Sequence, residues 1–229
     1  MYYDFTYVLV LIGALICFIA SVNVNSTFKK YNKYGNSCGM TSQKAAQLIL
    51  QSAGIYDVSI ERVSGNLTDH YSPNDKVLRL SDSVYGSTSV AAIGVAAHEC
   101  GHAIQHKEEY GPLKLRSASV PIANIGSKFS WPLIVVGLII GIMEMAKIGV
   151  LLFTFVVFFQ LITLPVEFDA SRRALTILDN SDMLADDELS GARKVLTAAA
   201  LTYVASLFSS ILQLLRLLLL TQGNGKKRR

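Results

Sequence analysis

The stretch Gly94-Val-Ala-Ala-His-Glu-Cys-Gly-His-Ala-Ile-Gln105 places two histidines four residues apart, with a glutamate directly after the first. Small and apolar residues precede it with helical spacing, so we predict a helix over Ser87–Gln105. In a helix, residues four apart are rotated by only about 40°, so His98 and His102 can bind one metal ion. Glu99 would then lie close enough to take a proton from a water molecule that zinc activates.

Two other interpretations of this stretch are open. Its histidines could make ordinary hydrogen bonds within a structural helix, and Cys100 could act as a nucleophile. Two histidines on one helical face with a glutamate between them favour metal binding over both. Cys17, Cys38 and Cys100 are odd in number and scattered, which predicts reduced thiols rather than a disulfide framework.

A catalytic zinc site needs a third protein ligand and an open fourth position. His106 lies on the same helix about 12 Å from His98, too far to share the ion. His70 precedes a strand-like segment and could line the cleft or act as an electrophile. The acidic candidates are Asp69, Asp82, Glu108, Glu109, Glu167 and Asp169.

Glu167 stands where the apolar block Leu133–Val166 gives way to a predicted helix. A carboxylate at the inner end of a buried span needs a partner, and a metal ion is a good one. Asp169 lies about 200° around that helix, so the two carboxylates cannot face one ion. Ala170 and Ala174 keep the face of Glu167 narrow, which would let a second helix approach closely. Pairing of Glu167 with a neighbouring arginine is the alternative.

The composition indicates a membrane protein. Of the 229 residues, 51% are hydrophobic, and they concentrate in three blocks: Phe5–Val22, Leu133–Val166 and Ala198–Leu220. The segments between them have ordinary soluble composition, so one domain shares the chain with membrane segments. The net charge of +4 comes from basic residues mostly beside the apolar blocks, which suits anionic lipid head groups rather than nucleic acid. The first block lacks a positively charged leader, so we interpret it as a retained helix.

The block Leu133–Val166 is too long for one span and is interrupted by charged residues within Glu144–Lys147. We predict a membrane hairpin that turns there, with a shallow or re-entrant hairpin as the alternative. If Glu167 binds the same ion as His98, the chain must return to the side that it left, which requires an even number of crossings.

The flanking basic residues predict the orientation. The larger group lies on the side of the histidine motif: Lys29, Lys30, Lys33, Lys114, Arg116, Lys128, Arg172, Arg173, Arg193 and Lys194. We therefore expect a multi-pass protein of the cell membrane with its catalytic domain on the cytoplasmic face. The tail Lys226–Arg229 argues against this orientation if residues 198–221 span the membrane fully.

The predicted fold class is α+β and mainly helical, with a small sheet and about four transmembrane helices. We expect strands at Asp57–Val63 and Lys76–Leu80, and further helices at Thr41–Ala53, Val166–Leu178 and Leu189–Ala200. The predicted segments are a first transmembrane helix (5–22), a first catalytic part (23–130), a transmembrane hairpin (131–166), a second catalytic part (167–197), a transmembrane or interfacial helix (198–221) and a basic tail (222–229).

Several sequence segments are typical of one family: Asp57–Gly65, Leu67–Pro73, Lys76–Ser81, Gly94–Gln105 and Val166–Leu175. The chain resembles the YugP-like neutral zinc metallopeptidases of bacterial membranes, a gluzincin group related to the HtpX-type membrane proteases. The resemblance covers most of Ser37–Ala200.

This resemblance implies zinc on His98, His102 and Glu167, with Glu99 as the general base. It also implies that the strand near Lys76–Leu80 borders the cleft, where a substrate could add as an extra strand. The reaction would be hydrolysis of a protein or peptide substrate, such as a membrane protein, at the membrane surface.

The chain departs from the HtpX-type pattern at one position. Those proteases usually have Glu-x-x-Ala-Asp, in which the aspartate orients a zinc histidine. Ser171 stands in place of that aspartate here, and either Ser171 or Asp169 could take over its role.

The sequence does not decide which residue stabilises the oxyanion. A metalloprotease commonly adds a tyrosine, histidine or arginine for this purpose, and His70, Tyr71, Arg172 and Arg173 are candidates. The two arginines follow a span and could instead meet lipid phosphates.

The function that we predict is that of a membrane-embedded zinc-dependent endopeptidase. The alternative is a non-catalytic membrane scaffold or assembly factor that keeps zinc for structure. A prenyl-protein protease of the CAAX type fits less well, because the chain is too short to enclose a large intramembrane chamber. A homo-oligomer or a regulatory membrane partner is compatible with the sequence.

Overall fold

The computed structural model describes residues 5–223. The chain order of the elements is α1 (Tyr7–Tyr31), α2 (Ser42–Ser52), β1 (Ser59–Val63), β2 (His70–Ser72), β3 (Val77–Ser81), α3 (Val90–Lys107), α4 (Gly111–Ile139), α5 (Met143–Asn180) and α6 (Asp186–Gly223). The predicted fold class is therefore confirmed: the protein is mainly helical with a small sheet.

Side-chain caps determine where two of the predicted helices begin. Thr41 precedes α2 and its side chain accepts a hydrogen bond of 3.3 Å from the backbone N–H of Lys44. Ser89 precedes α3 and accepts one of 3.1 Å from the backbone N–H of Ala92. Each cap satisfies an N–H group that the first helical turn leaves unpaired. The helix predicted over Ser87–Gln105 thus exists and begins slightly later than expected.

The sheet has three strands in the order β1-β3-β2. Strand β3 pairs parallel with β1 and antiparallel with β2. Leu78 and Leu80 of β3 are fully buried. The strands expected near Asp57–Val63 and Lys76–Leu80 are confirmed, whereas β2 was not predicted. Strand β3 is paired on both sides over Val77–Arg79, so the predicted addition of a substrate strand to this part of β3 is wrong.

The chain folds into two compact units. The second unit comprises Ser21–Leu113 and Pro165–Leu201 and holds every residue predicted for the site. Helix α3 contacts α2, β2 and β3 in it. Its core consists of buried apolar side chains, among them Ile49, Leu78, Leu80, Val84, Ile93 and Leu178.

The first unit comprises the described residues up to Ala20, together with Lys114–Leu164 and the described residues from Thr202 onward. Glycines allow its helices to approach closely. A Cβ on Gly126 would come within 2.7 Å of the carbonyl oxygen of Leu152, and one on Gly149 within 2.7 Å of that of Ser130. Many of its apolar side chains are exposed, including Leu11, Phe18, Val136, Leu151 and Phe155, as expected for helices that face lipid.

Four helices of the described residues, α1, α4, α5 and α6, are long and apolar enough to cross a membrane. This number agrees with the sequence prediction. The basic residues of the predicted tail, Lys226–Arg229, lie outside the described residues.

The turn predicted at Glu144–Lys147 is wrong by a few residues. The chain turns between α4 and α5, where Gly141 has a φ of +78° that a residue with a side chain rarely adopts. Glu144 and Lys147 lie in the beginning of α5 and form an ion pair of 2.7 Å. A carboxylate near a helix N-terminus is stabilised by the helix dipole, so Glu144 favours a helix start rather than a turn.

Candidate metal centre

The close approach of α3 and α5 positions the candidate site. A Cβ added to Gly101 of α3 would come within 2.6 Å of the carbonyl oxygen of Ala170 in α5. Ala170 and Ala174 are fully buried, in agreement with the prediction that they leave a narrow face for a second helix. Gly101 was not singled out in the sequence, although a glycine inside a helix often marks such a close contact.

Three side chains predicted as metal ligands converge. The Oε2 atom of Glu167 lies 3.3 Å from Nε2 of His98 and 3.6 Å from Nε2 of His102. One ligand atom from each of the three residues lies within 4.8 Å of the others. The two imidazole rings stand nearly perpendicular, at 83°, with centroids 4.8 Å apart. Helix α3 thus supplies two nitrogen donors, and α5 supplies one oxygen donor.

This donor set fits zinc. Two imidazole nitrogens and one carboxylate oxygen are a ligand combination of catalytic zinc sites, which keep a fourth position open. The side chain of Glu167 is only 4% exposed, against 15% for His98 and 12% for His102. A buried carboxylate is costly unless it is paired or binds a metal ion, and here it faces two groups that can share a cation with it.

The remaining ring nitrogens of both histidines also have partners. Nδ1 of His98 lies 3.1 Å from the hydroxyl oxygen of Ser171. Nδ1 of His102 lies 3.0 Å from Oε1 of Gln105. Such outer hydrogen bonds orient the rings of metal-binding histidines. Ser171 was one of two residues proposed for this role, whereas Gln105 was not considered.

Asp169 lies away from the three ligands, as its angular position on the helix predicts. Its carboxylate accepts a hydrogen bond of 2.9 Å from Nε2 of Gln105 and one of 2.5 Å from Arg173, and it also pairs with Arg172. It therefore reaches His102 only indirectly, through the amide of Gln105.

Glu99 and Cys100 follow His98 on α3 and are both buried. The Cys100 thiol points to the backbone carbonyl of Ala46 at 3.6 Å. Burial raises the pKa of this thiol well above its usual range, and the negative charge of Glu99 adds to the effect. A protonated, enclosed thiol is a poor nucleophile and a poor ligand, so Cys100 belongs to the core.

The other predicted site residues have partners of their own. His70 is exposed, and its Nδ1 lies 2.9 Å from the carbonyl oxygen of Thr68. Tyr71 shares a hydrogen bond of 2.9 Å with Nδ1 of His106. The side chain of Arg172 is 76% exposed. Their proposed part in stabilising an oxyanion stays a prediction.

Three of the remaining acidic candidates are engaged elsewhere. Asp69 accepts hydrogen bonds from Ser81, Asp82 pairs with Arg62, and Glu108 pairs with Arg173. Desolvation by burial raises the pKa of Asp69. Glu167 is thus the carboxylate that the fold brings to the two histidines.

Comparison with known proteins supports a protease family. Residues 6–222 match a family model described as "Putative neutral zinc metallopeptidase". The chain is 45% identical over 215 residues to a Bacillus subtilis (strain 168) protein named "Putative membrane protease YugP", covering 93% of this chain and 96% of that protein. No solved structure matches the chain.

Proposed function

Since the chain belongs to this family of neutral zinc metallopeptidases, we propose that it is a membrane-embedded endopeptidase of the gluzincin type that hydrolyses protein or peptide substrates. The observation that carries the proposal is the convergence of His98, His102 and Glu167. The family supports zinc as the cofactor, and the three side chains provide donors that suit it.

Zinc in such a site supplies Lewis-acid chemistry, which lowers the pKa of water and polarises a peptide carbonyl. Glu99 provides the carboxylate that we assign as general base. It follows His98 directly in the chain and is only 7% exposed. Its place on α3 next to His98 would let its side chain lie beside the ligands. The base would hold the abstracted proton and pass it to the leaving amine.

The scaffold alternative predicts a different site. Structural zinc usually has four protein ligands, often cysteines. The nearby Cys100 is directed into the core instead, and a purely structural site would have no use for a buried glutamate next to a ligand.

The test is the variant Glu99→Gln, purified as the full chain in detergent. We expect zinc content and the unfolding temperature to match the parent protein, while hydrolysis of unfolded casein falls by at least about 100-fold, within the range for general-base catalysis. Glu61→Gln, an exposed carboxylate on β1, is the matched control and should leave hydrolysis unchanged. Full hydrolysis by Glu99→Gln would exclude this mechanism.

We propose that the unit holding the site faces the cytoplasm. The support is the group of basic residues next to the apolar segments on that side of the chain, since such residues are enriched on the cytoplasmic side. The substrate would then be cleaved at the inner membrane surface, where an anionic lipid leaflet attracts the same basic residues.

A further inference from the structure

We propose that Gln105 is a positioning residue that fixes the tautomer and orientation of His102, with Asp169 holding Gln105 in the required orientation. The inference rests on the ligand set of the proposed function. Ser171, which stands in place of the aspartate after Ala170, contacts His98. The proposal assigns the corresponding role for His102 to a buried amide on α3.

The orientation of the Gln105 amide follows from its partners. Its Nε2 lies 2.8 Å from the carbonyl oxygen of Val166 and 2.9 Å from Oδ2 of Asp169. Both partners are acceptors, so they require the NH₂ group, and a flipped amide would set an oxygen against two oxygens. Gln105 is fully buried, which makes such an unsatisfied arrangement costly.

The tautomer of His102 follows from that orientation. Because the NH₂ group donates to Val166 and Asp169, it is Oε1 of Gln105 that faces Nδ1 of His102, at 3.0 Å. A carbonyl oxygen can only accept, so Nδ1 must carry the proton. The lone pair of a neutral ring then lies on Nε2, which is the atom that faces Glu167 at 3.6 Å. The contact with Gln105 therefore favours the tautomer in which His102 binds a metal ion through Nε2.

Asp169 keeps the amide from turning. Its side chain is only 5% exposed, and it bonds Gln105 on one side and Arg173 on the other. Arg173 in turn bonds Glu108 at 2.6 Å. These ion pairs keep the Asp169 carboxylate charged and in place, which leaves it as an acceptor for the Gln105 NH₂ group.

The two histidines differ in how their outer nitrogen is held. A hydroxyl group can donate or accept, so Ser171 holds the ring of His98 without selecting its tautomer. Gln105 can only accept at Oε1 and therefore selects one tautomer of His102. Loss of the Gln105 acceptor should disturb His102 while leaving His98 unchanged.

The test compares Gln105→Met with Gln105→Glu in the full chain. Methionine has a similar length but offers no comparable acceptor, whereas glutamate in either protonation state presents an oxygen to Nδ1. We expect zinc affinity to fall roughly 10–100-fold in Gln105→Met, as for other residues that orient metal-binding histidines. The Gln105→Glu variant should retain zinc affinity within about threefold. Its unfolding temperature should be lower, because the new carboxyl group faces the Asp169 carboxylate.

The control for a merely structural role is Ser42→Ala, which removes a buried hydrogen bond of 2.5 Å to the carbonyl oxygen of Val84. It should lower the unfolding temperature without changing zinc affinity. If zinc affinity follows the unfolding temperature across Gln105→Met, Gln105→Glu and Ser42→Ala, Gln105 acts only through stability and the proposal fails.

A second readout needs neither zinc nor activity. In metal-free protein with ¹⁵N-labelled histidine, at a pH where the rings are neutral, NMR should show His102 protonated at Nδ1. The Gln105→Met variant should lose that preference. The chain has four histidines, so single substitutions assign the signals. An Nε2-protonated His102 in the parent protein overturns the proposal, whereas normal zinc binding by Glu167→Gln would instead overturn the ligand set.

Discussion

At the scale of single residues, the environment of Glu167 is the most informative. Its side chain is almost fully buried, and its Oε2 atom faces the imidazoles of His98 and His102. The sequence left open a pairing of Glu167 with Arg172 or Arg173. In the structure both arginines pair with Asp169. Burial of a carboxylate against two imidazole rings is reasonable where a divalent cation completes the group.

Replacing Glu167 with glutamine tests this assignment. The amide keeps the size of the side chain but removes the charge and weakens the donor, so zinc affinity should fall by at least about 100-fold, the upper range for changes around metal ligands. Competition with a fluorescent zinc chelator measures this. Asp179→Asn, an exposed carboxylate on the same helix, should retain parental affinity. Equal affinity in both variants would mean that the third ligand lies elsewhere.

At the scale of elements, the separation of α3 and α5 decides whether the ligands can meet. Helix α3 places both histidines on one face, because residues four apart share a face in any helix. The third donor depends on the contact between Gly101 and Ala170, where no side chain separates the two backbones. Helices in contact are usually 8–10 Å apart, depending on the side chains between them.

Gly101→Ala should therefore damage both stability and metal binding. The new Cβ would lie 2.6 Å from the carbonyl oxygen of Ala170, and overpacking of this kind costs about 1–3 kcal/mol. Widening of the contact should also weaken zinc affinity, because Glu167 moves away from the histidines. Gly111→Ala is the matched control, since its Cβ would meet nothing within 4 Å. Thermal unfolding and zinc titration measure the two effects, and identical results for both variants would contradict this role.

At the scale of the whole molecule, the open question is which side of the membrane the metal site faces. The exposed thiol of Cys38 can report this orientation through chemical labelling. Cys38 is exposed in the second unit, whereas Cys100 is buried there and Cys17 lies partly buried within α1. Burial raises the pKa of the Cys100 thiol well above its usual range, which further lowers its reactivity.

With the catalytic unit in the cytoplasm, a membrane-impermeant maleimide should label Cys38 only after cells expressing the chain are permeabilised. Cys38→Ser should abolish that labelling, which shows that the signal comes from this thiol. Strong labelling of Cys38 in intact cells would reverse the proposed orientation. It would leave the metal site untouched, because the ligand set does not depend on the side of the membrane.

The sequence by itself predicted the features that depend on local geometry. The spacing of His98 and His102 places them on one helical face. The apolar blocks predicted about four membrane helices, because the length of an apolar run sets whether it can span a bilayer. The whole-chain motifs also predicted the family correctly.

Only the tertiary structure decided the features that depend on residues far apart in the chain. It placed Gln105 within hydrogen-bond distance of both His102 and Asp169. It placed β3 between β1 and β2, which excludes the expected addition of a substrate strand over Val77–Arg79. Periodicity reports which face of an element is apolar, but it does not report which element packs against that face. Long-range hydrogen bonds and strand pairing are therefore fixed only when the helices and strands come together.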